Sequence, residues 1–146
     1  MERKHKVLLW CVTIIVVVCA YLFQLEYRNI ASEGMTLSSI VLAVYVAAMM
    51  GLSGSTLGKK LATMQSKNPE YTQLWVLRKY FRNAIVFAVL TIIVSSINLL
   101  LPQQPQEVTY CVYQLLSLLS IAIYAVNLVF MGLILKFMMN RQIWDV

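Results

Sequence analysis

Residues 39–58 read SIVLAVYVAAMMGLSGSTLG, and no charge falls between Thr36 and Gly58. Taken at every fourth position the stretch gives Ser39, Ala43, Ala47, Gly51 and Ser55, a ladder of small side chains, with Gly54 and Gly58 forming a GxxxG pair one face round. Between the small residues sit Ile40, Val41, Leu42, Val44, Val46, Met49, Met50 and Leu52. A helix this apolar on every side belongs in lipid or in a core. Lipid tails are as apolar as the side chains, so burial from water no longer draws helices together. Close backbone approach and dispersion must do so, and small residues permit it. The stretch predicts a transmembrane helix with one face reserved for another helix.

Composition agrees. The 146 residues are 60% hydrophobic and 12% charged, whereas a soluble domain carries about 25% charged residues. No hydrophilic segment is long enough for a second folded unit. The expected fold is an all-α integral membrane protein forming a single domain over 1–146. Its four transmembrane helices span about 7–25, 35–57, 84–101 and 110–138. A cytoplasmic helical elbow, residues 58–83, joins the second to the third. The first apolar run, Val7 to Leu25, follows a basic start like that of a signal peptide. At about 28 Å it is long enough to be retained as a span. Its β-branched run Val12 to Val18 suits a lipid-facing surface, and Trp10, Tyr21 and Tyr27 suit aromatic belts.

The net charge of +6 is distributed unevenly. Arg3, Lys4 and Lys6 precede the first run, six cations from Lys59 to Arg82 lie between the second and third, and Lys136 and Arg141 follow the last. Only Arg28 occupies either of the other two connections. By the positive-inside bias both termini and the elbow are cytoplasmic, in a bacterial inner membrane. The pattern speaks for anionic lipid and against direct binding of nucleic acid.

Three further features are legible. In the outer turn after helix one, Gly34 loosens the chain, and Ser32 or Thr36 is placed to cap helix two. In the elbow, Leu61, Ala62 and Met64 extend helix two. Asn68-Pro69-Glu70 then has the N-cap and first-turn chemistry of a helix restart. After it Tyr71, Trp75, Arg78, Lys79, Phe81 and Arg82 recur at helical spacing, as a lipid-facing elbow or a docking surface for a cytosolic protein. In helix four, Tyr110, Tyr113, Ser117, Ser120, Tyr124 and Asn127 follow one another at steps of three and four, a heptad seam that is polar. Asn127 near mid-bilayer needs a partner, from another helix or from water in a cavity. Copies of the seam either glue helices together or line a polar path.

Catalytic chemistry is missing from the pattern. Cys11, Cys19 and Cys111 form no metal-ligand spacing and are expected as buried, inert thiols. The one histidine, His5, sits in the basic tail. No acidic or basic residue interrupts an apolar run, so the intramembrane carboxylate of a small multidrug exporter is absent, as are the Arg, Asn and Glu that membrane glutathione transferases carry in helix two. The expectation is a non-enzyme without a cofactor. The plan of four short helices with both ends inside and no large outer domain resembles small membrane components of bacterial anti-phage defence systems, which pair with a cytosolic protein. Holins and plasmid exclusion proteins share it. The resemblance implies an oligomeric membrane subunit that anchors or senses for a cytosolic partner. The alternative is a self-associating ion channel or holin-like effector lined by the polar seam.

Overall fold

The computed structural model describes residues 3–66, 71–101 and 107–138, with side chains from 5–66, 71–101 and 111–138. Among these residues five helices follow one another: α1 (Arg3–Leu22), α2 (Arg28–Gly54), α3 (Thr56–Thr63), α4 (Gln73–Leu100) and α5 (Glu107–Met138). All except α3 are long and apolar enough to cross a membrane. The protein is therefore a multi-pass, all-helical membrane protein.

The long helices lie side by side in the order α1, α5, α4, α2, with α3 against α4 and α2. Three of them meet along matched seams. On α2 the inward residues are Ala31, Gly34, Ser38, Val41, Tyr45, Ala48 and Leu52. On α4 they are Leu77, Phe81, Ala84, Ala88, Thr91, Ser95 and Asn98. On α5 they include Ser117, Ser120, Asn127 and Ile134. Each set advances by alternating steps of three and four, or by their sums, the spacing that keeps one face of a helix turned to its neighbour along its length. The peripheral α1 packs on α5 and exposes Leu8, Trp10, Ile14, Ile15 and Val18, as expected of a lipid-facing helix.

Helix ends depart from the sequence reading, each for a local reason. Helix α1 stops at Leu22 rather than Leu25. Gln24 turns left-handed (φ 49°), Leu25 N–H reaches Ala20 O (2.9 Å) and Gln24 N–H reaches Tyr21 O (3.3 Å). That pair of bonds closes a helix through a left-handed residue, here glutamine instead of the usual glycine. Helix α2 begins at Arg28, not Met35, so Ser32, Gly34 and Thr36 are helical. Thr36 bonds back to Ser32 O and caps nothing. Gly34 is buried, because a Cβ there would lie 2.9 Å from the Tyr27 hydroxyl. Tyr27, expected in an aromatic belt, is 1% exposed and inserts between α4 and α5.

The α2–α3 junction is a turn rather than an extension. Ser55 is extended (ψ 158°), its Oγ accepts from Gly58 N–H at 3.0 Å, and Lys59 N–H bonds Ser55 O. A Cβ on Gly58 would sit 1.8 Å from Leu52 O, so glycine is required there by the turn. After α3, Gln65 and Thr72 pair as an isolated antiparallel bridge, with Ser66 N–H on Tyr71 O and Gln73 N–H on Met64 O. Thr72, not Asn68, caps α4, accepting from Trp75 N–H. The Asn68-Pro69-Glu70 motif, Pro102, Pro105 and Trp144 lie outside the described residues. The expected elbow helix and helix three are one continuous element from Gln73, since nothing between Trp75 and Ala84 breaks a helix. Cys11, Cys19 and Cys111 are free and exposed rather than buried, because they lie on the outward faces of α1 and α5.

Candidate functional site

The polar seam of α5 turns inward, onto its own neighbours. Ser117 Oγ accepts from Tyr27 N–H (2.8 Å), an otherwise unpaired donor at the start of α2. Tyr27 reaches on across the interface, its hydroxyl 2.7 Å from Ser95 Oγ on α4, while its ring tilts against Tyr124 at 6.2 Å. Burial raises the Tyr27 phenol above its ordinary pKa; the Ser95 hydrogen bond opposes this and Tyr124 adds to it slightly, so the group stays protonated. Ser120 Oγ accepts from Asn98 Nδ2 (2.8 Å), and Asn98 donates also to Val94 O. Asn127 Nδ2 donates to Ser38 Oγ on α2 (3.0 Å). Tyr113 and Tyr124 are half-buried. Tyr110 belongs to α5, and its side chain lies outside the described residues.

These contacts join α2, α4 and α5 at successive levels. They bring together Ser117, Ser120, Tyr124 and Asn127 from the predicted seam with partners the sequence reading had not paired: Tyr27, Ser38, Ser95 and Asn98. Two buried side-chain atoms have no hydrogen-bond partner among the described residues: Asn127 Oδ1 on this seam, and Tyr45 Oη among the rings packed against Phe81. Near the α1–α2 turn, Gln24, Glu26, Tyr113 and Gln114 line a half-open cleft of about 70 Å³, room for several waters. Among the described residues no cluster of three His, Cys, Asp or Glu side chains is placed to hold a metal. Arg28, the lone cation at this end, donates to Leu101 O (2.5 Å), where it offsets the negative C-terminal end of α4.

The other two predicted sets divide. Of the small-residue ladder, Ser39, Ala43, Ala47, Gly51 and Gly54 face away from the rest of the chain, and a Cβ on Gly51 or Gly54 would meet nothing within 4 Å. Ser55 and Gly58 serve the α2–α3 turn instead. Of the elbow set, Tyr71 and Trp75 are exposed and stack at 4.2 Å with 18° between planes, and Lys79 Nζ lies 4.9 Å from the Trp75 ring centre. Arg78 and Arg82 are exposed on the same face, with Arg78 Nη2 3.4 Å from Ser53 Oγ on α2. Phe81 is not part of that surface. It is 1% exposed and packs edge-on against Tyr45 at 5.8 Å, because it lies on the inward seam of α4. One contact went unforeseen: His5 Nδ1 pairs with the Tyr80 hydroxyl at 2.5 Å, tying the start of α1 to α4.

No family model, curated protein or solved structure matches the chain.

Proposed function

We propose that this chain is a non-enzymatic, oligomeric subunit of a bacterial inner membrane that anchors, or senses for, a cytosolic partner. In this reading the end carrying Lys59, Lys60, Arg78, Lys79 and Arg82 faces the cytoplasm, with both termini, and is where the partner is held. A role in bacterial antiviral defence belongs to the same proposal and rests on architecture.

The observation that carries it is the inward turn of the seam. Ser117, Ser120 and Asn127 are engaged by Tyr27, Asn98 and Ser38 of the same chain, so the membrane part is a fastened scaffold. The small outward face of α2 supports contact with a second copy. The deciding experiment is the mass and composition of the tagged protein after mild-detergent extraction. A stoichiometric soluble companion is expected. A homo-oligomer with nothing attached would overturn the anchoring role.

The competing reading, a channel or holin-like effector, draws on one observation: Asn127 Oδ1 is buried without a partner among the described residues. If the seam conducts, Asn127→Leu abolishes ion leakage in liposomes and leaves assembly intact. Unchanged conductance removes that reading.

A further inference from the structure

The outward face of α4 changes character along its length without changing direction. Val86, Val89, Ile93 and Ile97 are exposed along the span, and the same stripe, continued toward the start of the helix, passes through Arg82, Lys79 and Trp75. The residues are spaced by three or four, so they form one continuous strip of surface. At 1.5 Å per residue, a hydrocarbon layer of about 30 Å measured from Leu100 ends near Tyr80. Arg82, Lys79 and Arg78 therefore straddle the boundary between chains and headgroups, and the Trp75–Tyr71 stack lies among the headgroups.

From this juxtaposition we propose that the strip binds one anionic phospholipid. One acyl chain lies along Val86, Val89 and Ile93, and the phosphate is held between Lys79 and Arg82, beside Trp75. Charge and continuity favour a lipid over a protein segment. The headgroup end of the strip is cationic, and the remainder is an apolar surface at the depth of the acyl chains. The ring stack fixes Lys79 in place, since its ammonium lies over the Trp75 face. The stems of half-buried Lys79 and exposed Arg82 cover apolar surface while their heads reach the interface. This inference rests on the membrane assignment and on no cytosolic partner, so it survives if the anchoring role fails.

The test uses the full chain with Trp10→Phe and Trp144→Phe, which lie outside the strip and leave Trp75, 43% exposed at its headgroup end, as the sole indole. The protein is reconstituted in mixed vesicles in which either phosphatidylglycerol or phosphatidylcholine carries a nitroxide on carbon 5 of one acyl chain, close to the headgroup, at equal mole fraction. Quenching of the indole reads which lipid occupies the strip. Labelled phosphatidylglycerol is expected to compete about fivefold better. Adding Lys79→Gln and Arg82→Gln should bring the two lipids level while helicity stays unchanged. Equal quenching by both lipids before those changes, or a preference that persists after them, overturns the proposal. So does protection of the indole from both lipids in native membranes, which would mean that a protein covers the strip.

Discussion

The two halves of the bundle are held by different means. Around Tyr27, Ser95, Asn98, Ser117 and Ser120 the helices are joined by side-chain hydrogen bonds of 2.7–2.8 Å. Around Tyr45, Leu77, Phe81, Phe130 and Leu61 they are joined by rings and branched chains, with Phe87 stacked on Phe130 at 5.5 Å. In water the second half would be stabilised mainly by burial from solvent. In lipid that term vanishes, and what remains is the density of contact: dispersion between fitted surfaces, lost wherever a gap opens. The first half relies on direction instead. A hydroxyl or amide that leaves its partner finds another only if a second polar group is near. The comparison thus predicts that shape governs stability in one half, whereas hydrogen bonds govern alignment in the other.

The largest effect is expected from Phe81→Ala. Phe81 is fully enclosed and packs edge-on against Tyr45, and its loss leaves a cavity that the small side chain of Ala84, on the same seam, cannot fill. Removal of a buried ring costs about 3 kcal/mol, here almost entirely as lost contacts. An SDS titration of the purified protein measures it. A loss near zero would mean that the ring half is plastic. Next comes Gly58→Ala, whose new carbon meets the Leu52 carbonyl at 1.8 Å. The clash is with backbone, so no rotamer relieves it. The loss has a ceiling, because α3 can detach; about 2 kcal/mol is expected. Faster proteolysis between Ser55 and Ser66 would locate the damage. Smaller again is Ser120→Ala, which removes one partner of Asn98 while leaving its bond to Val94 O. About 1 kcal/mol or less is expected in the same titration. If Ser120→Ala costs as much as Phe81→Ala, the contrast between the halves collapses.

How much of this was legible follows from the same physics. Four apolar helices and the polar heptad of α5 were readable, because long charge-free runs and a 3–4 spacing of Tyr, Ser and Asn survive without knowledge of neighbours; which helix lies beside which was not. The inward face of α2 was not. Its seven residues from Ala31 to Leu52 are no more apolar than those opposite, since a helix in lipid needs no polar side to mark its outside. The four-residue ladder from Ser39 to Ser55 was more conspicuous than the seam beside it. The signal available was agreement between helices: α4 carries the same alternating spacing from Leu77 to Asn98, and its Ser95 and Asn98 stand where α5 offers Ser117 and Ser120. Tyr27 misled for a similar reason. A tyrosine beside a span fits an aromatic belt, and only the absent side chain of Gly34 shows where the ring goes. Phe81 read as part of a basic-aromatic surface because Arg78, Lys79 and Arg82 surround it in sequence, although on the helix it points round from Lys79 and Arg82 into the seam.

The ladder itself separates the two uses of small residues most cleanly. Gly34 and Ala84 are small because another part of the same chain presses on them, whereas Gly51 and Gly54 have open space where a side chain would begin. Gly51→Leu should therefore leave the SDS titration of the isolated subunit unchanged or slightly improved, since it replaces a flexible glycine inside α2 by a good helix former. If a second copy packs there, the same change holds two backbones apart and dissociates the oligomer, seen as a fall in cross-linked dimer in native membranes. The two readouts divide the outcomes. Lower subunit stability would place the ladder within the chain's own packing. Unchanged stability with unchanged cross-linking would make the row of Ala, Gly and Ser a lipid-facing surface that happens to be narrow.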